Sequence, residues 1–311
     1  MNLDYKIRGD WESNSALRTY PFPAGYISSE DGHYFSPNLI SSLSYLSEEE
    51  CTLISLRDLE KQTLFRYLAN TESIEMDLVN PSLLFIIEEP FSSVVHQEAY
   101  KIYADEGFHA AMCVVLRESV GGTAVAVPDS SRYRSEPMQN LLRLLDDNGS
   151  RKQKLRTFFA AAINETLITQ SLVQAKDPCL KPSIRELISY HAMDEAQHHR
   201  YFSYMIDVVW ASLSDEDRGD ISSVLPHMLM LLLEVDSAAI REDLSGLGIS
   251  SGRAESIAKQ IREGISVTDR IRKEGRGSLH AMKKAGMLDY SLVKKSFSHC
   301  GLDSLISGAG E

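Results

Sequence analysis

Apolar residues recur along this chain at intervals of three and four, the period of a helix with one buried face, and no stretch alternates long enough to suit a strand. A short helix is expected over 39–46, after Ser36-Pro37-Asn38. A longer one starts at Ser47, a suitable N-cap followed by Glu48, Glu49 and Glu50, and runs to 79, where Asn80-Pro81 would end it. Glu89-Pro90 opens the next, which runs to 120 and is stopped by Gly121-Gly122. Residues 121–150, with Pro128, Pro137 and Asp146-Asp147-Asn148-Gly149, read as a long turn-rich connection. Helices follow over 152–175, closed by Asp177-Pro178, over 182–213, opened by Pro182-Ser183, and over 215–244. Beyond Gly246 the pattern shortens to amphipathic pieces at 251–264, 266–285 and 289–299, then a frayed tail. Residues 1–36, rich in Gly, Pro, Ser and aromatics, read as an irregular arm over the body. The expectation is an all-α chain: an arm to 36, a helical bundle at 37–245, and a helical extension at 246–311 packed on the same domain.

Composition narrows the class. An apolar content of 43% over 311 residues supplies a substantial core. The formal charge of −12 argues against nucleic acid and anionic membrane surfaces as partners. The longest apolar run, Met228 to Leu233, is followed by Glu234 and is too short to span a bilayer. The first fifteen residues contain no apolar signal core. Cys51, Cys113, Cys179 and Cys300 show no C-x-x-C spacing and read as free thiols, so a reduced, cytoplasmic setting is expected.

The chemistry lies in a motif present twice. Asp105-Glu106-Gly107-Phe108-His109 and Asp194-Glu195-Ala196-Gln197-His198 both read Asp-Glu-x-x-His on helical stretches. Glu and His three residues apart share a helix face and can grip one ion. Two such helices facing each other, with one more Glu from each of two others, make the dinuclear site of ferritin-like carboxylate proteins. Glu106 and Glu195 are the natural bridging pair. Asp105 and Asp194 are expected to support the imidazoles across the bundle, Asp105 for His198 and Asp194 for His109, because a ligating His commonly gives its other N–H to a carboxylate. Glu165 shares an apolar stripe with Ala161, Ala162, Ile168 and Leu172, where an unpaired charge is costly. The fourth Glu is Glu75 or Glu72. Glu75, in line with Leu64, Leu68 and Leu78, is favoured. His191, one turn before Glu195, points toward the same face, whereas His199 points about 100° from His198 and reads as a supporting or surface residue. His96 and Glu98 read as ordinary helix residues, and Tyr103, Phe108 and Met112 as core.

One Glu, about thirty residues, Asp-Glu-x-x-His, a Glu about sixty further on, then His-x-x-x-Glu-x-x-His: this order resembles the AurF-like p-aminobenzoate N-oxygenases over roughly residues 60–245. The resemblance implies a ferritin-like four-helix bundle with additional helices, usually a homodimer, and the ligand set Glu75, Glu106, His109, Glu165, His191, Glu195 and His198 around two iron ions. It implies O2 as co-substrate, a peroxo-diferric intermediate, and oxidation of a primary amine to hydroxylamine, nitroso or nitro product. No Gly-x-Gly-x-x-Gly fingerprint follows a strand, so electrons are expected from a separate reductase. Manganese at one position is compatible with a carboxylate-rich site. Ribonucleotide reductase small subunits look similar in their paired motif but carry a Tyr four residues after the first motif His, where this chain has Cys113. A ferroxidase and a C–H hydroxylase or desaturase are the competing functions. The length and the C-terminal helices, which could close a substrate pocket, favour an enzyme over iron storage.

Overall fold

The computed structural model describes residues 11–21, 27–120, 133–175 and 177–307, with backbone only for Ser28, 168–175 and Ser307. Gly121-Gly122, Pro128, the end of the tail and the side chains of Ile168 and Leu172 lie outside the described residues. Within them the protein is all-α, with no strand and one isolated bridge between His33 and Leu180.

Four long helices form the bundle. Helix α1 runs Leu56–Ile74, passes through a π turn at Glu75–Val79, and continues as Asn80–Glu88. Helix α2 is Ser93–Val120, α3 is Arg151–Ala175 and α4 is Pro182–Ser212. The short connections 89–92 and 176–181 make α1/α2 and α3/α4 antiparallel pairs, which pack on each other through α1 with α3 and α2 with α4. Phe158, Phe159 and Phe202 lie fully buried where the pairs meet. Each such side chain stabilises the fold by roughly 1.5–3 kcal/mol. Small residues Ala160, Ala161 and Ala162, all buried, let neighbouring helices approach α3 closely.

Several boundaries differ from expectation, each for a local reason. The helix begun by Ser47 has the expected cap, reinforced by a reciprocal bond from Glu50 to the Ser47 N–H, but it stops at Leu53. Ser55 then caps a new helix through the N–H of Asp58. Asn80-Pro81 does not end α1. The N–H of Asn80 donates to the carbonyl of Glu75, five residues back, and this wider turn accommodates a proline that would clash in a regular helix. The region 121–150 is not only turns. Ser135 caps an amphipathic helix, Glu136–Leu145, with Pro137 in its first turn, where a missing N–H costs nothing. The expected 39–46 helix is a pair of 3-10 turns, Pro37–Leu39 and Ser41–Tyr45. The 215–244 helix divides into Asp215–Leu232 and Ser237–Gly246, and 266–285 divides at Gly275. By length and mean hydropathy Asp215–Gly246 would suffice to cross a membrane. Here Ile221, Leu225, Met228 and Leu229 from it are buried in the protein core.

The N-terminal arm is built into the core. It holds two one-turn helices, Trp11–Asn14 and Ala16–Thr19, and its Ala16, Tyr20, Ile27 and Tyr34 pack with Leu64, Leu68, Met112 and Ile188 of the bundle. Gly32, at φ 111°, lets it pass so close to the α3–α4 connection that a Cβ would meet the Cys179 carbonyl at 2.8 Å. On the opposite side, helix Arg276–Lys284 rests on α3 and α4, and a Cβ on its Gly277 would meet the Thr166 carbonyl at 2.8 Å.

Candidate metal centre

Seven side chains meet between the four helices, and none is more than 2% exposed: Glu75, Glu106, His109, Glu165, His191, Glu195 and His198. Helix α2 brings Glu106 and His109, α4 brings His191, Glu195 and His198, and α1 and α3 bring one Glu each. Glu106 spans two imidazoles, with Oε2 3.3 Å from His109 Nδ1 and Oε1 2.8 Å from His198 Nδ1. Glu195 Oε1 lies 2.9 Å from His191 Nε2 and 3.6 Å from Nδ1 of both His109 and His198. Glu75 Oε1 is 3.3 Å from His191 Nε2, and Glu165 Oε2 is 3.8 Å from His198 Nδ1. Two overlapping donor groups result, Glu75/His109/His191/Glu195 and Glu106/His109/Glu195/His198, each with its donor atoms within 4.8 Å of one another. Glu165 stands beside the second.

His109 Nδ1 and Glu106 Oε2 hydrogen-bond, but most of the other close atoms do not. Glu75 Oε1 and Oε2, Glu106 Oε1, Glu165 Oε2, His191 Nε2 and His198 Nδ1 have no aligned hydrogen-bond partner among the described residues. Buried polar atoms left so are expensive, and donors facing a common centre are what an ion requires. The electrostatics agree. Burial, and then the Glu106 carboxylate, pushes Glu75 well above the usual carboxylate range; burial and then Glu195 do the same to Glu165. Burial also opposes ionisation of Glu106 and Glu195, yet the His198 charge leads the interactions that hold Glu106 at about 2 and Glu195 well below normal. Burial and His191 work against a charge on His109, but Asp194 and Glu106 raise it to about 9. Without a cation, protons must neutralise this cluster. The donor set fits divalent or trivalent metal ions with mixed oxygen and nitrogen ligands.

Asp194 and Asp105 each lie beside the imidazole of the other helix. His109 Nε2 lies 3.0 Å from Asp194 Oδ2 and His198 Nε2 3.4 Å from Asp105 Oδ2, so both Nδ1 atoms face the centre. The arm completes this layer, which sequence reasoning missed. Trp11 Nε1 donates to Asp105 at 2.9 Å, Ser15 Oγ donates to it at 2.6 Å, and the N–H of Ala16 donates to Asp194 at 3.0 Å. No local pattern in 1–36 announces such bonds, which span 90 to 178 positions. His199 is half-buried and hydrogen-bonds to the backbone of Glu165, and Asn164 Nδ2 donates to Glu165 Oε1 at 3.4 Å. Glu72 is turned away from the centre and pairs with Arg117. Glu98 is buried beside Lys101, 3.1 Å away. Met112 is core, whereas Tyr103 is exposed.

No match was found among curated proteins. A family model described as p-aminobenzoate N-oxygenase AurF matches residues 29–273, which takes in all four bundle helices and every one of the converging side chains. The matched span holds the repeated Asp-Glu-x-x-His, the extra imidazole and the two lone glutamates, and the chain is a member of the AurF family of N-oxygenases, an oxidoreductase family.

Proposed function

We propose that this protein holds two iron ions between Glu75, Glu106, His109, Glu165, His191, Glu195 and His198, and uses O2 to oxidise a primary amine. One observation carries the reading: buried donor atoms from four helices face one space without satisfying each other. Bound iron would supply the activation of O2. The protein's own part is positional. Asp194 and Asp105 accept from the Nε2 atoms of His109 and His198, which leaves each Nδ1 lone pair directed inward. The fully buried Phe158 and Ala160–Ala162 keep water from the α3 side. The first oxidation is balanced as amine plus O2 plus two electrons and two protons, giving hydroxylamine and water. An external reductase is the electron source.

The test begins with metal content. Anaerobic loading with ferrous iron should give two irons per chain by elemental analysis. Exposure to O2 and a reductant with a panel of primary amines should yield a product heavier by one oxygen on nitrogen. Oxidised iron that accumulates with no amine product would favour a ferroxidase. Oxygen found on carbon would favour a C–H hydroxylase.

A further inference from the structure

A recess of about 350 Å3 opens beside α1 and α3. Its inner end is formed by Tyr67, Asn70, Ile74 and Asn164. Ile74 and Asn164 immediately precede Glu75 and Glu165, and Asn164 touches the Glu165 carboxylate. Asn164 therefore links the recess to the Glu165 carboxylate, while none of the seven converging side chains is among its described lining residues. Its inner polar groups are neutral: two carboxamides and a phenol. Asn70 Oδ1 is buried there without a hydrogen-bond partner among the described residues, an acceptor available to an incoming N–H. Apolar residues, including Ile40, Met138 and Leu141, line the recess as well. The size suits a small single-ring or short-chain molecule.

The outer end carries a different charge. Glu234, Asp236 and Asp243 line it, and Arg66 is the one cationic residue among the described lining residues. All three guanidinium nitrogens of Arg66 are engaged, Nε with Asp243 at 2.7 Å, Nη2 with Glu242 at 2.9 Å and Nη1 with the Tyr133 hydroxyl at 3.3 Å. The Tyr133 ring covers its face at 5.4 Å. Asp236 receives the Tyr133 hydroxyl, and among the described residues neither it nor exposed Glu234 makes an ion pair, although Glu234 also borders a second cavity that Arg143, Arg262 and Arg270 line. An amine that enters nitrogen-first leaves its far end among these carboxylates. A carboxylate there would meet like charge in a partly desolvated site, which is a strong element of rejection.

We propose that this recess is the substrate pocket and that it selects primary amines whose remote end is neutral or cationic, against amines that carry a remote carboxylate such as p-aminobenzoate itself. This rests on the reading of the neighbouring cluster as the oxidising centre, and it assigns the substrate class that reading leaves open.

Three probes share one para-substituted aniline: p-toluidine, 4-aminobenzylamine, whose second amine is the remote cation, and p-aminobenzoate. Their affinities for the iron-loaded protein are measured by calorimetry, and product formation is followed separately by mass spectrometry. The two probes without a carboxylate should bind at least tenfold more tightly than p-aminobenzoate. Glu234→Gln and Asp236→Asn should each narrow the gap between 4-aminobenzylamine and p-aminobenzoate severalfold. Glu234 is exposed and leaves the fold intact when changed, so its result stands if Asp236→Asn, which removes the charge but keeps an oxygen able to cap the helix, destabilises the protein. Equal or tighter binding of p-aminobenzoate, no binding of any probe, or selectivity unmoved by Glu234→Gln would overturn the proposal. Selective binding with no amine oxidised would leave this pocket assignment standing and remove the N-oxygenase reading instead.

Discussion

The α2/α4 half of the centre and the α1/α3 half are built in opposite ways. Helices α2 and α4 each bring the same Asp-Glu-x-x-His, each Asp holds the other helix's imidazole, and the arm ties both Asp side chains down in turn. Helices α1 and α3 each bring one glutamate with no histidine beside it. Burial drives Glu75 and Glu165 toward their neutral forms, and Glu75 has both oxygens without an aligned partner. One half is preorganised by hydrogen bonds that exist without metal. The other half has buried carboxylates whose charge a bound ion would offset. The difference teaches that the hydrogen bonds ordering this cluster are concentrated on its imidazole side, while the carboxylates opposite have few partners.

The contrast can be broken most forcibly at Glu195, which belongs to both donor groups. Glu195→Ala should abolish stoichiometric iron binding, by more than the roughly 100-fold loss of affinity that removal of a supporting carboxylate brings; elemental analysis after gel filtration reads this. Glu72→Gln should separate stability from metal binding. It strips the partner from Arg117, itself 4% exposed, so unfolding by urea should show a loss of about 3 kcal/mol while iron content stays unchanged. Loss of iron in that variant would mean that Glu72, not Glu75, serves the centre. Asp105→Asn and Asp194→Asn should each weaken metal binding roughly 10- to 100-fold, measured by competition with a chelator. An equal loss from Asn164→Ala would erase the distinction between the halves, since Asn164 supports only Glu165.

The smallest effect is expected from the arm. Trp11→Phe removes one donor to Asp105 and leaves Ser15 in place, so metal affinity should fall by about tenfold or less, the low end of the range for a hydrogen bond to a charged group. Trp11 and Trp210 are the two tryptophans of the chain. Iron binding should therefore change the emission of the Trp11 indole, and that change should vanish in Trp11→Phe. Emission that is indifferent to metal in the natural chain would show that the arm does not sense the centre.

Much of the preorganised half was legible in advance. Glu-x-x-His is a local spacing, and any helix at 3.6 residues per turn puts both side chains on one face. Two copies on separate helices already implied the pairing and the crossed Asp supports. The α1/α3 half was less legible. Glu72 and Glu75 differ by less than one turn, so periodicity alone favours Glu75 only weakly; Arg117 on α2 takes Glu72 out of the centre. Asn80-Pro81 misled because proline normally ends a helix, and the relief came from a wider turn at Glu75 itself. The arm looked irregular because its bonds go to residues some 90 or more positions away.

Local spacing, caps and charge thus determined the helical class, the long helices α3 and α4 and the identity of the side chains able to grip a metal, because those depend on neighbours within a turn or two. Only packing decided which glutamate of α1 enters the centre, where that helix widens, that the arm reaches the supporting carboxylates, and that acids with a saturated arginine rim the recess. Each of these is a meeting of distant segments, set by which buried polar atom finds a partner and which is left facing an ion or a substrate.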